Sequence, residues 1–352
     1  MPKISKKKPM YSLSGVLEAY LEKHNRLNND LLSYDDLMRY RGAVSVYDVA
    51  GEDTLWLRVF YNEFESIEID TELKRIYTLL MADGDPKIMK YLTIDAIDFC
   101  SFGNSKPFRV KVRNILNDNY MYMYIKKFDA SRVYGLELEH LLSPDHINFL
   151  AYGSTIVEEH IMGIPGHLFI ENILPSCSEL EKAQLAKEFV KFNERSLMRL
   201  LGDMRSYNYV VVPIHDLDHY FYKIRAVDFD QQSYEGNYKV YLPQFFKENL
   251  PMVDLVQSKL TGSSINQYQV EERCIVAKRI LSAKERMTDL LNCMNSDVIS
   301  SRLKIHSLRS YFYSLTSENE FLTKNSMGGI LDGILRYVTK NYKERTPFAI
   351  DY

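Results

Sequence analysis

The stretch Leu200-Leu-Gly-Asp203-Met-Arg205-Ser-Tyr-Asn208-Tyr-Val-Val-Val212 runs into a polar turn, then into Tyr222-Lys-Ile-Arg-Ala-Val-Asp228-Phe-Asp230. Asp203 and Asn208 stand five apart, just before an apolar β-type run, and Asp228 closes a second such run. Two β runs around a polar tip predict a hairpin. Its three functional groups are a carboxylate, an amide oxygen and a further carboxylate. Phosphoryl transfer from a nucleotide asks for this set: one carboxylate to receive or orient the acceptor hydroxyl, and two oxygen ligands to hold Mg²⁺ against the phosphates.

Upstream, Leu185, Phe189, Phe192, Leu197, Leu200 and Leu201 recur at helical spacing and predict the helix that delivers Asp203. Further back, Thr93 to Phe102, Phe108 to Leu116 and Tyr120 to Phe128 predict three strands. A turn containing Gly103 joins the first two. The third strand ends in Lys126-Lys127, and neighbouring strand residues face opposite sides, so only one lysine points inward. A helix is predicted over Ser131 to Leu142, carrying Glu137 and Glu139 on different faces. Two strands follow, the second running into Glu159-x-Ile161-x-Gly163. Beyond residue 235 the apolar spacing is helical to the end. Before residue 91, helices are predicted within 11 to 40 and from Asp70 to Met81, with strand texture from Ala43 to Phe64 between them.

The order of these features (strand lysine, helix glutamate, E-x-I-x-G, G-D-x-x-x-x-N, then D-F-D) resembles the protein-kinase-like superfamily. In motif form it looks closest to aminoglycoside-phosphotransferase-type small-molecule kinases, whose loops often read G-D-x-x-x-x-N and D-F-D. The resemblance implies an α+β, two-lobed protein-kinase-like fold. Residues 1–90 would be an N-terminal α/β extension and 91–163 a nucleotide-binding lobe. Residues 164–352 would be a helix-rich C-terminal lobe with the catalytic hairpin at 200–230. It implies ATP and Mg²⁺ as cofactors and a small-molecule hydroxyl as acceptor. Asp203 becomes the catalytic base, and Asn208 and Asp228 the metal ligands. Lys126, or Lys127 if the register slips by one, would hold nucleotide phosphates with Glu137 as its partner and Glu139 as the alternative. The unpaired members, Lys127 and Glu139, are then expected to be dispensable. Gly103 would approach phosphate, and the peptide groups around Glu159 and Ile161 would meet adenine. Arg205 stands where kinases place a cation near the transferred phosphate, or is a surface arginine. Asp230 is a second metal ligand or a capping residue.

Several departures bear on function. The turn has one glycine rather than a G-x-G-x-x-G. Gly202, not arginine, precedes Asp203, and Asp230 replaces the glycine that would let D-F-G flip. These oppose a loop-regulated protein kinase, leaving an atypical protein kinase or a pseudokinase scaffold as alternatives. A separate cluster, His215-Asp-Leu-Asp-His219, offers transition-metal ligands or merely a polar hairpin tip.

The 352 residues exceed one typical core. A formal net charge of −3 gives no bulk attraction to nucleic acid or membrane, and neither is expected as a partner. Cys100, Cys177, Cys274 and Cys293 are scattered without a C-x-x-C pair, which favours reduced thiols. No apolar run reaches membrane-spanning length, and no apolar segment follows the lysines at 3 and 6–8. A cytoplasmic location is expected.

Overall fold

The computed structural model describes residues 8–28, 32–101, 105–216, 219–342 and 352. It is a mixed α+β structure whose chain divides into two compact units. One comprises Gly15–Asp129 with Ile147–His160; the other comprises Met1–Ser14, Ala130–His146 and Ile161–Tyr352.

The first unit is built on seven antiparallel strands in the order β1-β2-β3-β4-β5-β7-β6. They are β1 (Gly42–Tyr47), β2 (Asp53–Phe60), β3 (Leu92–Cys100), β4 (Phe108–Asn114), β5 (Tyr120–Lys127), β6 (Phe149–Tyr152) and β7 (Thr155–Glu159). The short helices α1 (Gly15–Lys23) and α2 (Tyr34–Leu37) precede the sheet, and α3 (Glu63–Met81) lies between β2 and β3. Asn62 caps α3 by accepting from the Glu65 N–H. Ile69, Leu73, Ile76 and Leu80 then fall on one helical stripe and join Val110, Val112, Met123 and Ile125 in a single core. Burying each such side chain contributes about 1.5–3 kcal/mol. Along β4 the pleat puts Phe108, Val110 and Val112 inside and turns Arg109, Lys111 and Arg113 to the opposite face.

The boundary expected at residue 90 falls inside this unit. β2 hydrogen-bonds to β3 in the register Trp56↔Cys100, Leu57↔Phe99 and Arg58↔Asp98, so the early strands extend the same sheet. The other expected boundary, at 163, lies close to the junction between His160 and Ile161.

The second unit contains α4 (Ala130–Leu142), which sequence order had grouped with the sheet. It continues with β8 (Ile164–Pro165), α5 (Gly166–Leu168), α6 (Glu179–Arg199), β9 (Tyr209–Asp216) and β10 (His219–Ala226). The helices α7 (Leu250–Lys259), α8 (Gly262–Ser282), α9 (Lys284–Ser296), α10 (Arg302–Thr316) and α11 (Met327–Asn341) complete it. Strands β10, β9 and β8 form a small antiparallel sheet. α6 starts at a reciprocal Ser178–Glu181 capping box. Its last two turns are buried all round, charges included, because each charge meets an opposite one. Glu194 pairs with Arg273, Arg195 with Glu188 and Glu272, and Arg199 with Glu139 of α4. Among the described residues, no helix is long and apolar enough to cross a membrane.

Candidate active site

α6 ends at Leu200, whose backbone is left-handed with φ 54°, and Asp203 is left-handed again with φ 62°. Aspartate tolerates that region, whereas leucine does so at a cost of about 1–2 kcal/mol, so tertiary contacts must hold the turn. They are visible. The N–H of Ser233 donates to Leu200 O, that of Gly202 to Gln231 O, and that of Asp203 to Val240 O. Gly202 sits where a Cβ would lie 2.9 Å from Val240 and 3.0 Å from Gln231 O, so a side chain would force this loop off its support. Close packing is thus a physical reason for glycine before Asp203.

The Asp203 carbonyl receives two bonds, from the Arg205 N–H and from Asn208 Nδ2, both at 2.7 Å. Asn208 O in turn accepts from the N–H of Val227, the residue before Asp228. The D-x-x-x-x-N loop and the D-F-D strand end are therefore joined through Asn208. Buried Asn249 braces the loop from below. It donates to Met204 O and Pro243 O and accepts from the Tyr209 hydroxyl.

The Asp203 carboxylate accepts from Arg205 Nε at 2.8 Å, and Arg205 also reaches Glu248 at 2.8 Å. Burial pushes the Asp203 carboxyl up to about 6; the Arg205 contact opposes this, while the charges of Asp228 and Glu248 add to it. A carboxylate poised there can accept a proton near neutral pH. Arg205, expected near a transferred phosphate or at the surface, is held between the Asp203 and Glu248 carboxylates.

Asp228 and Asp230 share one partner. Arg132 Nη1 lies 3.1 Å from Asp228 Oδ1 and 2.7 Å from Asp230 Oδ1. The Asp230 N–H also donates to Asp228 Oδ1. Asn208 Oδ1 accepts no hydrogen bond among the described residues. With its amide nitrogen turned to Asp203, it is a hard oxygen donor of the kind Mg²⁺ takes. Among the described residues no three His, Cys, Asp or Glu form a metal-holding group, so Asn208 and Asp228 would leave most positions to water or phosphate oxygens.

The remaining expected residues fall as follows. Lys126 faces inward and pairs at 2.8 Å with Glu158 of β7, both side chains being buried, while Lys127 is half-exposed beside Asp35. The strand register therefore buries Lys126 and leaves Lys127 at the surface, and the carboxylate beside Lys126 is Glu158 where Glu137 was expected. Glu137, fully buried, is gripped by both Arg286 Nε and Nη2 of α9. Both members of the expected Lys126–Glu137 pair thus have a partner inside their own unit. Glu139 is buried on Arg199 rather than dispensable, because α4 is enclosed on all its faces. The N–H groups of Glu159 and His160 are taken up by Asn148 O and Tyr122 O in the sheet, which removes two of the peptide donors expected to meet adenine. Ile161 is buried in the other unit. Gly103 lies outside the described residues, as do the side chains of Asp216, Asp218 and His219 in the His/Asp cluster.

Arg132, Glu158, Glu248, Asn249 and Arg286 carry much of this geometry, and the sequence reading passed over all of them. No family model matches the chain, and no curated protein matches it significantly.

Proposed function

We propose that this chain is a member of the protein-kinase-like superfamily acting as an ATP- and Mg²⁺-dependent phosphotransferase on a hydroxyl of a small molecule. The observation that carries this reading is the Asn208 joint. The Asn208 side chain ties the Asp203 loop, and the Asn208 backbone carbonyl ties the strand that ends in Asp228. In this reading Asp203 orients the acceptor hydroxyl and takes its proton late in a loose transition state. Asn208 and Asp228 would hold Mg²⁺, which draws charge from the transferring phosphoryl group. Arg205, fixed between Asp203 and Glu248, supplies a nearby cation. The nucleotide roles of Lys126, Glu137, Glu159 and Ile161 rest on the sequence resemblance.

A small acceptor is favoured by the segment after Asp230. Residues 231–240 return at once beneath the catalytic loop through Gln231 O, Ser233 N and Val240 O. Tyr234 O takes the Ser300 hydroxyl and Tyr238 stacks on Tyr311 at 3.6 Å. This leaves no long activation segment to order by phosphorylation. The four free cysteines support a reducing, cytoplasmic setting. The pseudokinase alternative draws on the arginines already seated on Asp203, Asp228 and Asp230. Thermal-shift titration with ATP, with and without Mg²⁺, tests the reading. Metal-dependent stabilisation is expected, and none at millimolar nucleotide would remove both kinase forms.

A further inference from the structure

The two edges of the seven-stranded sheet differ. At β6 the edge is closed. Leu27 bridges Ala151, whose N–H donates to Arg26 O and whose carbonyl accepts from the Asn28 N–H, and Arg26 lies over the Phe149 ring. At the opposite edge, among the described residues, β1 pairs with β2 alone. Sheets protect such an edge with charge, proline or a bulge, because its unpaired N–H and C=O groups offer a template for another strand. Gly42-Ala-Val-Ser-Val-Tyr47 carries neither a charge nor a proline. The irregularity of its hairpin lies in β2, where Thr54 and Leu55 are inserted between the partners of Val46 and Tyr47, so β1 itself stays regular. Val44 is 55% exposed and Tyr47 62%.

We propose that β1 pairs with β1 of a second copy of this chain, antiparallel about a two-fold axis at Ser45, so that the two sheets join into one. The strand is complementary to itself in that register. Directly opposed residues share a face of the sheet, so Val44 of each copy meets Val46 of the other, and Ala43 meets Tyr47 on the reverse face. Ser45 meets its own copy, where two hydroxyls can share a hydrogen bond. A register centred on Val44 would instead leave Val46 opposite Gly42. The flanks agree in charge. Arg39 and Arg41 precede the strand, and Asp48, Glu52 and Asp53 follow it. Antiparallel pairing sets the basic end of each copy beside the acidic end of the other, whereas parallel pairing would set like beside like. All these residues belong to the sheet unit, while Asp203, Asn208 and Asp228 belong to the other, so the pairing does not depend on the phosphotransferase reading.

Sedimentation velocity on the full chain, across a micromolar concentration series, tests the pairing. A dimer is expected for the natural protein, and a monomer at every concentration overturns the proposal. Ser45 is exposed, so substitutions there should leave the fold intact, which circular dichroism checks. Ser45→Lys alone should lose the dimer, because two lysines then face each other across the axis, and Ser45→Asp alone should lose it for the same reason. An equal mixture of the two variants should regain it as a heterodimer, since opposite charges then meet. A dimer that survives Ser45→Lys places the contact elsewhere, and a mixture that stays monomeric removes Ser45 from the axis; either result overturns the proposal.

Discussion

Asn208 Nδ2 donates a 2.7 Å hydrogen bond to the backbone carbonyl of Asp203, closing the loop between the two residues that the hairpin motif brings together. The bond explains the spacing. Five residues bring the amide back over a left-handed aspartate, while the Asn208 carbonyl stays available to Val227 N–H. Asn208→Ala should therefore cost about 0.5–1.5 kcal/mol of stability. Turnover should fall far more, about 100-fold or beyond, because small misplacements of a reacting group are amplified. Denaturant titration and kcat on the same preparation separate the two effects.

Asp203 should set opposite pH trends for activity and stability. Its carboxyl titrates near 6 when folded, above the ordinary aspartate value of about 4. The folded state therefore binds the extra proton between these values. The associated stability is fully present below about pH 4 and is lost as pH rises through 6. Asp203→Asn should be more stable than the natural protein at pH 7.5, by about 1–3 kcal/mol, with the gain shrinking toward pH 5. In the natural protein kcat/KM should rise with pH, with a midpoint near 6. A flat rate between pH 5 and 7.5 would show that Asp203 is not the titrating base.

Lys126 and Lys127 should differ in stability as well as in activity. Lys127 pairs with Asp35 at the surface, where such a contact is worth about 0–1 kcal/mol, so Lys127→Ala should be almost silent. Lys126→Ala removes the cation 2.8 Å from buried Glu158, and removing one partner of a buried pair costs about 3–5 kcal/mol. Lys126→Met with Glu158→Gln should recover much of that loss. Similar denaturation midpoints for the two alanine variants would contradict this account of β5.

The contrast shows what was legible in the sequence. The strand runs at β3, β4 and β5 and the hairpin of β9 and β10 emerged from alternation and turn residues; the ends of β3 to β5 are displaced by at most two positions, while β9 runs on to Asp216, four beyond Val212. Asp203, Asn208 and Asp228 were visible because local spacing marks them. Their supports were not. Arg132 lies 96 residues from Asp228, and Arg286 lies 149 from Glu137; no periodicity links such pairs. α4 was deceptive for a related reason. Its Arg132, Glu137 and Glu139 suggest exposed positions, yet all three are buried on opposite charges from distant elements. Likewise, the register that joins β2 to β3 makes one sheet of what sequence order divided at residue 90.

The glutamates of α4 should rank by how well their partners can regain water. Glu139→Ala strands Arg199, which is 1% exposed, and should cost about 3–5 kcal/mol. Glu137→Ala should cost less, because Arg286 is 22% exposed and can turn toward solvent. Chemical denaturation of the two variants gives the order directly. A harmless Glu139→Ala would mean that Arg199 finds another anion.

Phosphotransfer itself is tested most directly with γ-labelled ATP and Mg²⁺ over a pool of hydroxyl-bearing small molecules, comparing the natural chain with Asp203→Asn and Asp228→Asn. The expected result is label on a small molecule with the natural chain. Asp203→Asn should keep Mg·ATP binding while turnover falls by orders of magnitude, and Asp228→Asn should lose metal-dependent nucleotide binding as well. Turnover in both variants equal to that of the natural chain would contradict the assignment of this hairpin as the catalytic centre.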